Sequence, residues 1–182
     1  MNNSQFTPFS CLEELESLAI AHAADLPEQK ASTVYWTGVA FTLNDDEFVM
    51  QIGEVTEILP VPSTTPLPGV HTWAKGVANV RGRLLPVVDL GEFLGRQRPA
   101  RLAENRILVI QQDDLSVGLV VDAVQGLMHF STSNHHEELP ESLPDSVRPF
   151  SAGHYHQDRD YVVFNTSRLV SNERFLRAAI EQ

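Results

Sequence analysis

One cysteine, Cys11, is all that this chain has. No intrachain disulfide can form, and the composition fits a reducing cytoplasm. No stretch approaches the roughly 18 consecutive apolar residues that a membrane-spanning helix needs. Nothing at the start resembles a basic segment leading into an apolar one, so no secretion signal is expected. Basic residues are scarce: 13 Lys and Arg stand against 24 Asp and Glu, a formal net charge of -11 over 182 residues. Binding to a nucleic-acid backbone leans on Lys and Arg, and so does binding to anionic lipid; both are disfavoured. Most of the acidity serves solubility. The phosphate-cradling patterns G-x-x-x-x-G-K-[ST] and strand-borne G-x-G-x-x-G are missing, as is the G-x-S-x-G nucleophile elbow. Helices and strands do not alternate in the βαβ manner, which speaks against a Rossmann or flavodoxin-like sheet.

What is present is a succession of short strands with polar turns. Tyr35–Leu43 and Phe48–Ile52 alternate apolar with polar or small residues around the turn Asn44–Glu47. In the next stretch, period two puts Val55, Glu57 and Leu59 on one side and Thr56 and Ile58 on the other. Pro60, Pro62, Pro66 and Pro68 then stiffen a loop. Ile107–Ile110 pairs with Val117–Val121, and a further strand runs from Asp122 to Phe130. Ser131–Pro149 reads as an irregular loop, followed by a hairpin of Ala152–His156 and Tyr161–Phe164. Helices are few. Ser10 and Glu13 form a capping box for an amphipathic helix bearing Leu12, Leu15 and Leu18. Asn165 can cap the segment after it, and Asn172–Ile180 reads as a final helix with Phe175, Leu176 and Ala179 as its apolar side. The class is all-β with minor helices. Residues 1–33 form an N-terminal extension, and 34–182 the main domain.

The stretch HTWAKGVANVRGRLLPVVDLGEFL, residues 71–94, organises the rest. Gly82 separates a short apolar run (Val77, Ala78, Val80) from a longer one (Leu84, Leu85, Val87, Val88, Leu90), which reads as a hairpin with a tight glycine turn. Pro86 lacks an N–H, so it belongs at an edge, bulge or strand start rather than within a ladder. Asn79, Arg81 and Asp89 are polar residues in an apolar frame; they need partners, and they fix a turn or present a surface.

The segment GVANVRGRLLPVVDL resembles the signature of CheW-like proteins, with Gly76, Asn79, Arg81, Gly82, Pro86, Asp89 and Leu90 where that signature wants them. Val120, Val121, Asp122 and Val124 are similar to a second run of the family. The residues leading into the signature resemble one branch, the PilI-type adaptors of type IV pilus chemosensory systems used in twitching motility. The resemblance implies two SH3-like five-stranded β-barrel subdomains with strands exchanged between them. It implies a non-catalytic cytoplasmic adaptor, recruited to membrane receptor arrays, that couples a methyl-accepting chemoreceptor to a CheA-like histidine kinase through the kinase's regulatory domain. No cofactor is implied. By the same resemblance, Val55, Glu57 and Ile58 form a kinase-facing segment. An ion pair between Glu57 and Arg81 is expected, because a guanidinium at the turn can span to a neighbouring strand.

A different reading rests on histidines. His154 and His156 are two apart on a strand and face the same way, and His135, His136, Glu137 and Glu138 are nearby ligand types. They suggest a small β-barrel metal-binding sensor or enzyme. Such a site needs three or four converging ligands with supporting contacts, whereas loop histidines need nothing. The pairs Asp45–Asp46 and Asp113–Asp114 fall in turns, where local hydrogen bonding explains them without acid–base chemistry.

Overall fold

A computed structural model describes residues 12–13, 16–18, 34–95, 104–112 and 115–178. Two compact units are present, Met1–Ser32 and Thr33–Gln182. In the first, Leu12, Glu13, Glu16, Ser17 and Leu18 are helical; the remainder of the expected amphipathic helix, including Cys11 and Leu15, lies outside the described residues.

The second unit is built of strands. β1 (Tyr35–Leu43) and β2 (Asp46–Gln51) form a hairpin whose turn is Asn44–Asp45 alone, both at positive φ (62° and 77°). Glu47, expected in that turn, is instead a buried member of β2. A single turn of 3-10 helix, Ile52–Glu54, leads to β3 (Val55–Pro60). Then come β4 (Ala74–Val80), β5 (Arg83–Asp89), the short helix α1 (Leu90–Phe93), β6 (Arg106–Gln112), β7 (Leu115–Val121) and β8 (Ala123–Ser131). β9 (His135–His136), β10 (Ser151–His156), β11 (Asp160–Phe164), α2 (Thr166–Val170) and α3 (Glu173–Leu176) complete it.

These strands form two sheets. One has the order β8-β1-β2-β11-β10-β9, the other β3-β6-β7-β5-β4. The middle of the chain makes the five-stranded sheet, and the two ends of the unit make the six-stranded one, joined by a parallel pairing of β11 with β2. Each sheet has its own cluster on one face. Ala78, Leu85, Val87, Ile107, Val109 and Val120 gather in the five-stranded sheet, and Ala40, Val49, Phe130, Tyr155 and Tyr161 in the six-stranded one. Between the sheets lies the largest core, with Phe41, Phe48, Leu90, Phe93, Leu108, Leu119 and Phe164. Strands buried on both faces lose the polar alternation of a half-exposed strand, which is why β6 and β7 read as continuous apolar runs.

Three expectations are corrected. The six-stranded sheet exceeds the expected five because two residues of the 131–149 loop pair as β9 with β10. Gly153 (φ 81°) permits this: a Cβ there would come within 2.3 Å of the His136 carbonyl oxygen. The final helix, expected over 172–180, is shorter: it spans Glu173–Leu176, residues 177–178 are not helical and 179–180 lie outside the described residues. Asn165 Oδ1 accepts the Arg168 N–H at 2.9 Å and Asn172 Oδ1 the Phe175 N–H at 3.3 Å, and each cap begins a new helix. Phe175 is buried on Trp73 and Phe93, while Leu176 is exposed. Pro86 sits within the β4–β5 ladder, opposite Val77. Counting from the two-residue turn, that pair is a non-hydrogen-bonded one, so β4 asks no N–H of it, and the β5–β7 pairing starts only at Val87.

Candidate functional site

The motif hairpin is shaped largely by its own motif residues. Arg81 (φ 49°) and Gly82 (φ 82°) make a two-residue turn of the kind that suits strand twist. The Gly82 N–H donates to Asn79 Oδ1 at 2.9 Å, which locks it. Gly76 (φ 115°) is where another chain segment crosses: Thr65 pairs with Val77, and a Cβ on Gly76 would lie 2.0 Å from the Thr65 carbonyl oxygen. Asp89 caps α1, accepting the Glu92 N–H at 2.9 Å. Lys75 Nζ lies 2.5 Å from Glu92 and 4.0 Å from Asp89. Burial pushes the Asp89 carboxyl above its ordinary range; the Glu92 N–H opposes this, the Glu92 carboxylate adds to it, Lys75 opposes it and Asp122 adds to it. Leu90 is fully buried in the shared core. Gly76, Asn79, Gly82, Asp89 and Leu90 thus shape the hairpin and its helix, and Asn79, Arg81, Gly82 and Pro86 are the motif residues left exposed.

Arg81 reaches across the sheet. Its Nε lies 3.4 Å from Glu57 Oε2, with the two side chains 74% and 30% exposed. β3 and β4 are the outermost strands of the five-stranded sheet, so this contact, with the Thr65–Val77 bridge, brings the sheet's margins together around its cluster. That arrangement is the curled sheet the barrel expectation called for. Glu57 Oε2 itself is buried and makes no hydrogen bond.

The segment Val55, Glu57 and Ile58 is not one face. A bulge at Thr56, whose hydroxyl donates to the Val109 carbonyl at 3.0 Å, shifts the register. Val55 pairs with Ile110 and packs on the shared core; Glu57 pairs with Val109 on the opposite face. The expected period-two grouping of Val55 with Glu57 and Leu59 fails for that reason. Ile58 pairs with Leu108 and is 42% exposed. Sequence reasoning did not single out Arg83, Leu84 or Lys75. The signal for Leu84 was there, since Leu84, Pro86 and Val88 alternate on one face of β5 while only Val88 is buried.

The histidines occupy the other sheet. His156 Nδ1 donates to Asp160 Oδ1 at 2.6 Å, and His154 Nε2 lies 3.8 Å from the same oxygen. His154 Nδ1 donates to the Glu138 carbonyl at 2.7 Å, so Glu138 offers its backbone there. The His136 ring stacks on His154, and His135 packs on Tyr155. Among the described residues no group of three or more His, Cys, Asp or Glu side chains is arranged to hold a metal ion.

The description "CheW-like domain" matches residues 37–174. The chain belongs to the CheW-like family. Along 96% of its length it is 40% identical to Protein PilI of Pseudomonas aeruginosa, 97% of which is covered. It is 34% identical to the chemotaxis protein CheW of Rhizobium meliloti over 63% of this chain and 74% of that one. The crystal structure of the scaffolding protein TtCheW from Thermoanaerobacter tengcongensis shares the fold, with a TM-score of 0.63 and 24% identity over 72% of this chain and 90% of that one. As a CheW-like protein with PilI as a near-full-length relative, the chain is a non-catalytic adaptor of chemosensory signalling. No helix among the described residues is long and apolar enough to cross a membrane.

Proposed function

We propose that this CheW-like chain works in the cytoplasm as the scaffold between a methyl-accepting chemoreceptor's cytoplasmic tip and the regulatory domain of a CheA-like kinase in a type IV pilus chemosensory array. The observation that carries this is the near-full-length similarity to PilI, with the family motif displayed on an exposed hairpin joined to β3 by Arg81 and Glu57. The kinase-facing surface is taken to be Glu57, Ile58 and Arg81. Val55 supports it from beneath, through the core. The receptor-facing role of the motif segment from Gly76 to Leu90 is positional: its glycines, cap and core residues hold the hairpin in place. The action is geometric, since receptor conformation biases the kinase through a shared lattice and no bond is made in the adaptor. The test is a titration of the purified chain with the kinase regulatory domain and, separately, with a receptor tip fragment. Binding to both, and receptor-dependent kinase activity only when the chain is added, is the expected result. Binding to neither overturns the reading.

A further inference from the structure

We propose that residues 174–178 are a latch that opens apart from the rest of the fold and, when closed, sets how the motif hairpin is presented, with Phe175 as a positioning residue for partner binding. This rests on the kinase-facing reading above. The hairpin's two ends are Trp73, just before β4, and Phe93, at the end of α1 after β5. They are tied through the Asp89 N–H, which donates to the Trp73 carbonyl at 2.8 Å. Phe175 touches both ends. Its ring lies 6.2 Å from the Trp73 ring and near parallel to it at 9°, and 5.3 Å from the Phe93 ring, edge-on at 88°. The Arg174 guanidinium sits 4.9 Å above the Phe93 ring. The His71 N–H donates to the Ala178 carbonyl at 2.9 Å. The segment therefore closes over the base of the hairpin, not over its Arg81–Gly82 tip.

The hold is weak. α3 is four residues long, and a helix that short has no stability of its own in water. Of residues 174–178 only Phe175 is buried; Arg174, Leu176 and Arg177 are exposed and Ala178 is half-buried. The match to the CheW-like domain ends at residue 174, so the anchor lies just beyond it. Closing the latch also carries a cost. Trp73 is 3% exposed, and its indole N–H is buried without an acceptor. A buried donor with no partner is destabilising, and water satisfies it once the covering ring lifts. A terminal element with few anchors, lying over a donor that gains from hydration, opens before the sheets do. A partner that binds the hairpin in its clamped orientation shifts the latch towards closed, and by the same linkage the closed latch raises the partner's affinity.

The experiment follows amide hydrogen exchange along the full chain by mass spectrometry, alone and with the kinase regulatory domain. Calorimetry gives the kinase affinity of wild type, Phe175→Ala, Phe175→Leu and Leu176→Ala. Trp36→Phe in each leaves Trp73 as the sole tryptophan, and acrylamide quenching reports its exposure. In the wild type, residues 174–178 are expected to exchange about tenfold or more faster than β6 and β7, and to slow severalfold when the kinase domain is added. Phe175→Ala is expected to raise Trp73 quenching, to lower kinase affinity about tenfold and to leave the exchange of β6 and β7 as it was. Phe175→Leu, which keeps an apolar anchor, recovers most of that affinity. Leu176→Ala, at an exposed position of the same helix, binds as wild type. Exchange of 174–178 as slow as that of β6 and β7 makes the segment part of the core and overturns the proposal, whether or not the Phe175 variants fold. An exposed Trp73 with unchanged affinity overturns the positioning role and leaves the kinase reading standing. Equal losses for Leu176→Ala and Phe175→Ala show that the kinase touches the helix itself, and the proposal is wrong. No wild-type binding overturns the kinase reading and the positioning role with it.

Discussion

Arg81 Nε lies 3.4 Å from Glu57 Oε2, and these two residues come from opposite margins of one five-stranded sheet. The contact is half in water, so its strength as an ion pair is small, about 0–1 kcal/mol. Its geometric consequence is larger, because it ties β3 to the hairpin that displays the motif. Arg81→Ala is expected to lower stability by about 1 kcal/mol or less while weakening kinase binding severalfold. Urea unfolding and a binding titration on the same samples check it. Full wild-type affinity would remove the functional role of the pair.

The two motif glycines differ in kind. Gly76 and Gly82 both have positive φ, but only Gly76 faces a backbone atom. Gly82→Ala is expected to cost about 1–2 kcal/mol, the ordinary penalty of a left-handed residue. Gly76→Ala adds a collision with the Thr65 carbonyl and is expected to exceed about 3 kcal/mol or to prevent folding. Chemical denaturation of both variants gives the ranking.

Val55 and Ile58 also separate. Val55→Glu places a charge against the shared core and is expected to cost about 2–3 kcal/mol. Ile58→Glu, at an exposed position, is expected to stay within about 0.5 kcal/mol of wild type and to reduce kinase affinity. A Val55 variant as stable as wild type would show that the core contact is not a supporting one.

Asp89 sets a pH dependence. Its pKa is raised by burial above that of the unfolded chain, so the neutral form is favoured by folding. Its contribution to stability is fully present below the unfolded pKa and is lost as pH rises through the folded one. Asn can replace it as a cap. Asp89→Asn is therefore expected to gain on wild type near neutral pH, with the gap shrinking as pH falls through the Asp89 titration. Thermal melts across the acidic range test the sign; a gap that widens on acidification would contradict it.

Removing residues 1–30 is expected to leave a cooperatively unfolding β-protein, because Thr33–Gln182 is a compact unit with its own cores. Loss of a cooperative transition in the truncated chain would place the extension in the core.

Much of this was legible along the chain. Alternation in Tyr35–Leu43, the Arg81–Gly82 turn and the cap at Asn165 are local matters, decided by side-chain period, φ preference and short-range hydrogen bonds. The motif was sufficient to name the family, and the Glu57–Arg81 pairing followed from a charge stranded among apolar neighbours. Long-range geometry decided the rest. Period two cannot announce the bulge at Thr56, which depends on how β3 meets Val109, so Val55 moved to the core face. The two residues of β9 pair only because Gly153, distant in sequence, leaves room for the His136 carbonyl. Pro86 is tolerated in a ladder because β7 begins to pair one residue later. The histidines looked like a ligand set in sequence, but the fold gave His154 and His156 one shared carboxylate and turned Glu138's carbonyl, rather than its side chain, to the ring. Sequence alone determined which residues want burial, turns and caps; tertiary structure decided which strand each of them meets, because register and sheet closure arise from contacts between segments far apart in the chain.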